Sequence, residues 1–336
     1  MDLDLLLGIG RFVLATTLLL LLTVPTAFII IYLELKVIAL MQLRIGPNRV
    51  GPAGVFQSAI HGFKVLAKED FTPDQADRPI FTMAPWMVFM AAAMSMLVIP
   101  FAPGLVALDS KISVIYFFAI IGLSVVGLLV AGWASYNKYS LLGGLRSAAQ
   151  MVSYEIPLTL SIVGVVILTG TLSFTEIIAW QHAHGWSILW QWIGLPVFFI
   201  ASTAEINRTP FDMVEADSEI VAGFATEYSG MRFGFFFFAE YVSLFIMSAI
   251  LVTLFFGGWL APWPFPAELS GIGGMIYGLF WFLLKTYFFV FVSIWARATL
   301  PRVRVDQLMG MAWKVLLPLA LVNLFITAIV VVVFGL

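Results

Sequence analysis

Long apolar runs alternate with short charged stretches along the whole chain, at 8 to 33, 81 to 103, 112 to 136, 153 to 175, 188 to 206, 233 to 257, 272 to 295 and 313 to 335. Each is near the ~20 residues that an α-helix needs to cross about 30 Å of hydrocarbon. Lipid offers no water to the backbone, so a spanning run closes its hydrogen bonds internally as helix. The pattern predicts an all-α integral membrane protein of about eight transmembrane helices, built as a single membrane domain over residues 1–336. No short-period repeat or low-complexity tract divides it. The first run follows Asp2 and Asp4 and lacks an A-x-A cleavage pattern, so it reads as a retained span.

The polar residues between the runs are unevenly shared. Fourteen of the 17 Lys and Arg residues lie in or beside the stretches after the first, third, fifth and seventh runs, against Lys111 alone in the alternate ones. Basic residues in short loops are held on the cytoplasmic side during insertion. Charged inner loops are therefore expected at 34–80, 137–153, 205–232 and 297–313, with both termini on the outer, periplasmic side. The first inner loop opens with Gly46-Pro47-Asn48-Arg49-Val50-Gly51-Pro52, a turn that no helix continues through. Beyond it Phe56, Ile60, Phe63 and Ala67 recur at helical spacing, while His61, Lys64 and Lys68 fall on another face. That is the pattern of an amphipathic interfacial helix in the headgroup region.

With 62% hydrophobic and 11% charged residues, the chain carries more apolar surface than a water-soluble core buries. It has no cysteine, so it supplies neither a disulfide nor an iron–sulfur cluster by itself. His61 lies in an inner loop and His182 and His184 in an outer one, so no histidine pair faces across the interior. Gly-rich nucleotide loops, nucleophile elbows and metal-ligand spacings are missing, no metal is expected in this chain, and nothing in it suits nucleic acid. Electrons for any redox reaction must come from a partner.

An ionisable side chain within a span is costly, which makes Glu34, Glu155, Glu205, Glu240 and Lys285 candidates for chemistry. Glu240 is the deepest acid, flanked by Phe235 to Phe238 and Tyr241, and suits either a structural pairing or a proton relay. Lys285 offers a partner to an intramembrane acid that the sequence does not name. In the loop after the fifth run, residues 205–227 hold Glu205, Arg208, Asp212, Glu215, Asp217, Glu219 and Glu227, six acids answered by one base. A solvated acidic loop would account for the charge. Against that, Phe211, Met213, Val214, Ile220, Val221 and Phe224 are interleaved with the acids, which argues that part of the loop is buried. Arg297, Arg302 and Arg304 close the seventh run, where they either anchor the membrane edge or hold carboxylates of the acidic loop in bidentate geometry.

Four blocks of the inner loops are recognisable. Residues 32–69 read YLELKVIALMQLRIGPNRVGPAGVFQSAIHGFKVLAKE, 137–157 NKYSLLGGLRSAAQMVSYEIP, 204–241 AEINRTPFDMVEADSEIVAGFATEYSGMRFGFFFFAEY, and 297–319 RATLPRVRVDQLMGMAWKVLLPL. In this order they closely resemble the family of the H subunit of bacterial complex I, the NADH:quinone oxidoreductase, which includes mitochondrial NADH dehydrogenase subunit 1. The resemblance implies an eight-helix subunit at the joint between the soluble redox arm and the proton-pumping membrane arm, in a bacterial inner membrane or its mitochondrial counterpart. It implies a tunnel for ubiquinone or menaquinone as substrate, with no bound cofactor of the chain's own. It implies partners as well: soluble subunits that hold the terminal cluster and the quinone site, small membrane subunits alongside, and membrane lipids. Carried over residue by residue, proton coupling falls to Glu34, Glu155, Glu205, Arg208, Asp212, Glu215, Asp217, Glu219, Glu227 and Glu240. The quinone tunnel and its charged wall fall to Gln42, Arg44, Lys64, Arg146, Arg297 and Arg302.

The chain departs from the family pattern in places. Leu35 follows Glu34 where the family usually has arginine, which removes a basic neighbour from that carboxylate. Ile60-His61 replaces an Ala-Asp pair, exchanging an acid for a histidine. Asp217 stands where glutamate is commoner. Two other readings compete with the resemblance. A stand-alone proton-coupled transporter calls for a midplane site, whereas these charges gather at one face. The membrane anchor of a related hydrogenase would match less closely in the GPNRVGP and EYSGMRF segments, which are intact here.

Overall fold

A computed structural model describes residues 3–213, 221–262 and 271–335; within the first helix, side chains are described at Gly10, Thr17 and Leu21 and from Thr23 onward. The helices are α1 (Leu3–Met41), α2 (Gln57–Leu66), α3 (Arg78–Ser95), α4 (Ser113–Ala134), α5 (Lys138–Thr169), α6 (Phe174–His184), α7 (Gly194–Glu205), α8 (Gly230–Phe255), α9 (Gly271–Thr299), α10 (Val305–Met311) and α11 (Leu317–Phe334). Among the described residues no strand forms beyond an isolated bridge between Ala102 and Leu105. A π-helical turn over Ala312–Leu316 joins α10 to α11, so 305–334 forms one continuous span.

Among the described residues seven helices are long and apolar enough to cross a membrane, and the 12-residue apolar α7 accompanies them. At 1.5 Å per residue α7 covers about 18 Å, short of the expected 188–206 span. Pro196 is the reason: it is tolerated in the first turn of α7 but lacks the N–H that an earlier start would require, so residues 187–189 form a separate short turn instead. Residues 138–153, read from the sequence as inner loop, are the first turns of α5. Asn137 caps them, its Oδ1 accepting from the Tyr139 N–H at 2.9 Å. The expected interfacial helix is α2.

α8 is the central element, with 78% of its spanning window buried, and it packs on α1, α3, α7 and α9. α3, α4 and α5 follow one another side by side, α7 and α11 lie on α5, and α9 lies on α1. The peripheral windows of α1, α9 and α11 are 28%, 28% and 22% buried. Their outward faces carry large apolar side chains such as Ile276, Phe280 and Phe325, as a lipid-facing surface requires. At the end of the bundle where the charged loops gather, called the inner end after the orientation expected from the basic residues, residues 223–225 dock on the start of α5. The Ser140 hydroxyl donates to Phe224 O at 3.0 Å, and a Cβ at Gly143 would stand 2.4 Å from Gly223 Cα, so this approach needs glycine.

Candidate functional site

The chain turns sharply at the end of α7. Asn207 adopts φ +56, a conformation asparagine tolerates, and the turn swings Arg208 back into the bundle, where it is 4% exposed. Arg208 Nη1 donates to Glu34 Oε2 at 2.6 Å, and its Nε lies 2.8 Å from Glu240 Oε1. Arg297 Nη1 donates to the other Glu34 oxygen at 2.6 Å. The Arg208 guanidinium sits 4.2 Å from the centre of the Tyr241 ring. Four charges from α1, α8, α9 and the turn after α7 thus form the series Arg297–Glu34–Arg208–Glu240, balanced in sign. Burial alone would weaken Arg208's hold on its proton, but the Glu240 and Glu34 carboxylates outweigh it and raise its pKa above the usual arginine value. Arg208 is a permanent cation here.

Beside this series Arg302 Nη2 donates to Asp212 Oδ2 at 2.9 Å, and the Val303 N–H donates to Pro210 O at 3.0 Å, which ties the turn after α7 to the end of α9. Glu205 is 2% exposed and neither of its oxygens has a hydrogen-bond partner among the described residues. Glu155 is half-buried on α5, which packs against α7. Glu205, Asn207 and Glu240 line a cavity of about 150 Å³ with Ser95, Ser124 and Ser243, walled otherwise by apolar side chains.

A second cavity of about 370 Å³ lies between α1, α2 and α8. Its walls include Phe28, Ile31, Val65 and Phe238, and its rim carries His61, Lys64 and Lys68. Phe233 and Phe237 line both cavities, so one layer of aromatic rings on α8 separates the apolar chamber from the carboxyls.

The remaining expected residues disperse. Gln42 and Arg44 are exposed just beyond α1, Lys64 is exposed on α2, and Arg146 is half-buried on α5. Glu227 is apart from the Glu34 series: its carboxylate accepts from Asn137 Nδ2 at 2.6 Å in a polar surface recess with Asp74 and Lys138. Glu215, Asp217 and Glu219 lie outside the described residues. The absence of a basic residue at position 35 does not leave Glu34 unpartnered, because its two arginines come from elsewhere in the chain. Lys285 has no carboxylate partner among the described residues and meets backbone carbonyls instead. Sequence reasoning did not pick out Tyr241 and Asn207 as site residues, and no spacing marks them. Nearby, Tyr228 stacks on Phe81 with ring centres 4.0 Å apart, and its hydroxyl donates to Phe81 O at 3.2 Å. Burial pushes the Tyr228 phenol up, so it stays a neutral donor and takes no part in proton traffic near neutral pH.

Fold and site together define a multi-pass helical membrane protein whose inner end is organised around buried ion pairs. A family model described as NADH dehydrogenase matches residues 14–328. The chain is 50% identical over 320 residues to the H subunit of NADH-quinone oxidoreductase from Brevibacillus brevis, covering 95% of this chain and 93% of the relative. It is 48% identical over 305 residues to that of Dehalococcoides mccartyi (91% and 82% covered) and 50% over 314 residues to that of Geobacillus kaustophilus (93% and 92%). The chain belongs to this family, that of the complex I H subunit, and is a membrane component of NADH-quinone oxidoreductase that works with the enzyme's other subunits.

Proposed function

We propose that the chamber between α1, α2 and α8 admits quinone from the membrane, and that the neighbouring carboxyls couple its reduction to proton movement. The observation that carries this reading is the shared wall: Phe233 and Phe237 face both the chamber and the cavity that holds Glu205 and Glu240. The chamber suits a lipid-like molecule with a polar head, being apolar inside with Lys64, Lys68 and His61 at its rim. Ubiquinone or menaquinone fits that description equally. The soluble subunits deliver the electrons, and this chain provides passage and proton-exchanging groups.

Coupling follows from charge. A reduced quinone species acquires negative charge or draws protons, and one unit charge 4 to 10 Å away at an effective dielectric near 20 is worth about 2 to 4 kcal/mol. That exceeds the roughly 1.36 kcal/mol of one pKa unit, so nearby carboxyls change their proton occupancy. Glu240 is the link, since it lines the inner cavity and is paired with Arg208. The cavity's serines and carboxyls offer partners to several waters, which would carry protons between Glu205 and Glu240. Glu155, Asp212, Glu215, Asp217 and Glu219 extend this acidic set, and Gln42, Arg44, Arg146, Arg297 and Arg302 form the charged wall facing the soluble partners. The inner face is the cytoplasmic one in a bacterial inner membrane, and small membrane subunits cover part of the lateral surface.

Phe237→Trp tests the passage by enlarging the shared wall. It should raise KM for a long-tailed quinone about tenfold while short-tailed quinone and ferricyanide reduction by NADH are little changed, since an overfilled apolar site costs about 1–3 kcal/mol. Equal effects on both quinones would refute a passage through this chamber.

A further inference from the structure

Lys285 stands midway along α9, in the apolar span, and is 8% exposed. Its Nζ donates to Phe256 O at 2.7 Å and Leu260 O at 2.8 Å and lies 5.5 Å from the centre of the Trp186 ring. Those carbonyls belong to the end of α8 and the turn beyond it, where Gly257 and Gly258 hold φ of +71 and +54. The negative pole of a helix, its last carbonyls and an aromatic face all favour a charged ammonium.

The depth of this charge follows from helix geometry. Arg297 on α9 and Glu240 on α8 meet at one level through Glu34 and Arg208. At 1.5 Å per residue, Lys285 lies about 18 Å outward of that level and Phe256 about 24 Å. Helical side chains lean toward the N-terminus, which is the outer end of α9, and this lean closes the difference. The ammonium therefore sits well outward of the ion pairs, at the outer end of α8 and deep within the span of α9.

Buried polar groups lie between the ion pairs and the ammonium, the Ser248 and Thr253 hydroxyls donating to Leu244 O and Ala249 O of their own helix. The cavity at Glu205 and Glu240 reaches Ser243 and Met247. Ser248 and Thr253 are buried further along α8, and Gln181 donates to Thr253 O at 2.8 Å while accepting from the Gly257 N–H at 2.9 Å. A neutral amide would satisfy the same two carbonyls that Lys285 caps, so the net charge, costly in lipid, calls for its own explanation. We infer that Lys285 is an electrostatic seal: the positive charge of its ammonium repels protons and metal cations moving outward between the helices and keeps the outer half of the subunit proton-tight. The inference goes beyond the proposed coupling and is independent of it, because a seal is measured without turnover.

The test uses the whole enzyme in phosphatidylcholine vesicles without NADH. A potassium gradient with valinomycin sets the potential, and an internal pH dye reads passive proton influx. Lys285→Gln keeps two N–H donors and removes the charge, whereas Lys285→Arg keeps it. Influx should rise about tenfold for glutamine and stay at the wild-type level for arginine, a ratio within reach of an electrostatic barrier of a few kT. Ferricyanide reduction by NADH, together with co-purification of the chain, shows that each variant has assembled. An assembled Lys285→Gln enzyme as tight as wild type overturns the seal. So does assembly of the arginine variant when neither Gln nor Met at 285 assembles, because the charge would then serve folding.

Discussion

The two ends of the bundle solve the burial of polar groups by different means. At the inner end Glu34, Arg208, Glu240 and Arg297 bury charge and offset it with opposite charge. At the outer end the polar groups between helices are mostly neutral amides and hydroxyls. Gln191 Nε2 donates to Thr327 Oγ1 at 2.6 Å and to Gly164 O at 3.2 Å, and Asn323 Nδ2 donates to Gln191 Oε1 at 2.7 Å. That cluster fastens α11 to α5 and the start of α7, with Gln191 serving as both donor and acceptor. Buried ion pairs are poor stabilisers, since apolar replacements of similar volume are often as stable or more so. A bundle in need of adhesion alone would use amides at both ends. The charges at the inner end therefore point to chemistry, while the outer amides hold the structure together.

Removing one partner on each side sharpens this contrast, and the largest effect belongs to Arg208→Ala. The substitution leaves the Glu34 and Glu240 carboxylates facing one another with Arg297 as their sole close cation among the described residues, and stranding a buried charge costs about 3–5 kcal/mol. Quinone reductase activity and coupled proton transfer should fall more than about a hundredfold, while ferricyanide reduction by NADH persists in whatever enzyme assembles. Arg208→Lys should recover only part, because an ammonium cannot bridge two carboxylates with a planar fork. Normal proton-to-electron stoichiometry in the alanine variant would detach the ion-pair series from coupling.

Gln191→Leu is the matching change at the outer end. It takes from Asn323 and Thr327 their shared partner in the interior, a loss of about 1–2 kcal/mol, comparable to measured hydrogen bonds between membrane helices. The thermal midpoint of the assembled complex should drop by a few degrees with turnover per assembled enzyme unchanged. A variant of normal stability and impaired turnover would erase the division between adhesive and chemical ends.

How much of this contrast was legible in the sequence depends on the range of the interaction involved. Spans were readable because helix length in lipid is a local property, and the one short span, α7, has its cause in Pro196 within the same stretch. The interfacial α2 was readable from the spacing of Phe56, Ile60 and Phe63 against Lys64 and Lys68. Acidic residues stood out by type, but their partners did not: Glu34 reaches Arg208 across 174 positions and Arg297 across 263. No periodicity encodes a distance of that kind, which is how a missing basic residue at position 35 could suggest an unpartnered carboxylate. Lys285 was harder still. Its partners are backbone carbonyls of Phe256 and Leu260, groups that every residue possesses, so sequence leaves no trace of the pairing.

The smallest predicted effect tests whether depth, rather than charge, governs importance at the inner end. Arg302 and Asp212 form an ion pair at 2.9 Å beside the Glu34 series, but the Arg302 side chain is 43% exposed against 4% for Arg208. Water and salt screen such a pair, and exposed pairs contribute about 0.2–1 kcal/mol. The neighbouring bond from the Val303 N–H to Pro210 O, which a side-chain substitution leaves intact, already joins the same two segments. Arg302→Ala should therefore lower the thermal midpoint by no more than about a degree or two and slow quinone turnover less than about threefold. Its effect should shrink further between about 50 and 500 mM salt, as the Debye length falls toward a few ångströms. Were Arg302→Ala as damaging as Arg208→Ala, and equally so at high salt, Arg302 would act on a charged partner shielded from solvent. Its exposure in the isolated chain would then mark the surface on which a soluble subunit docks.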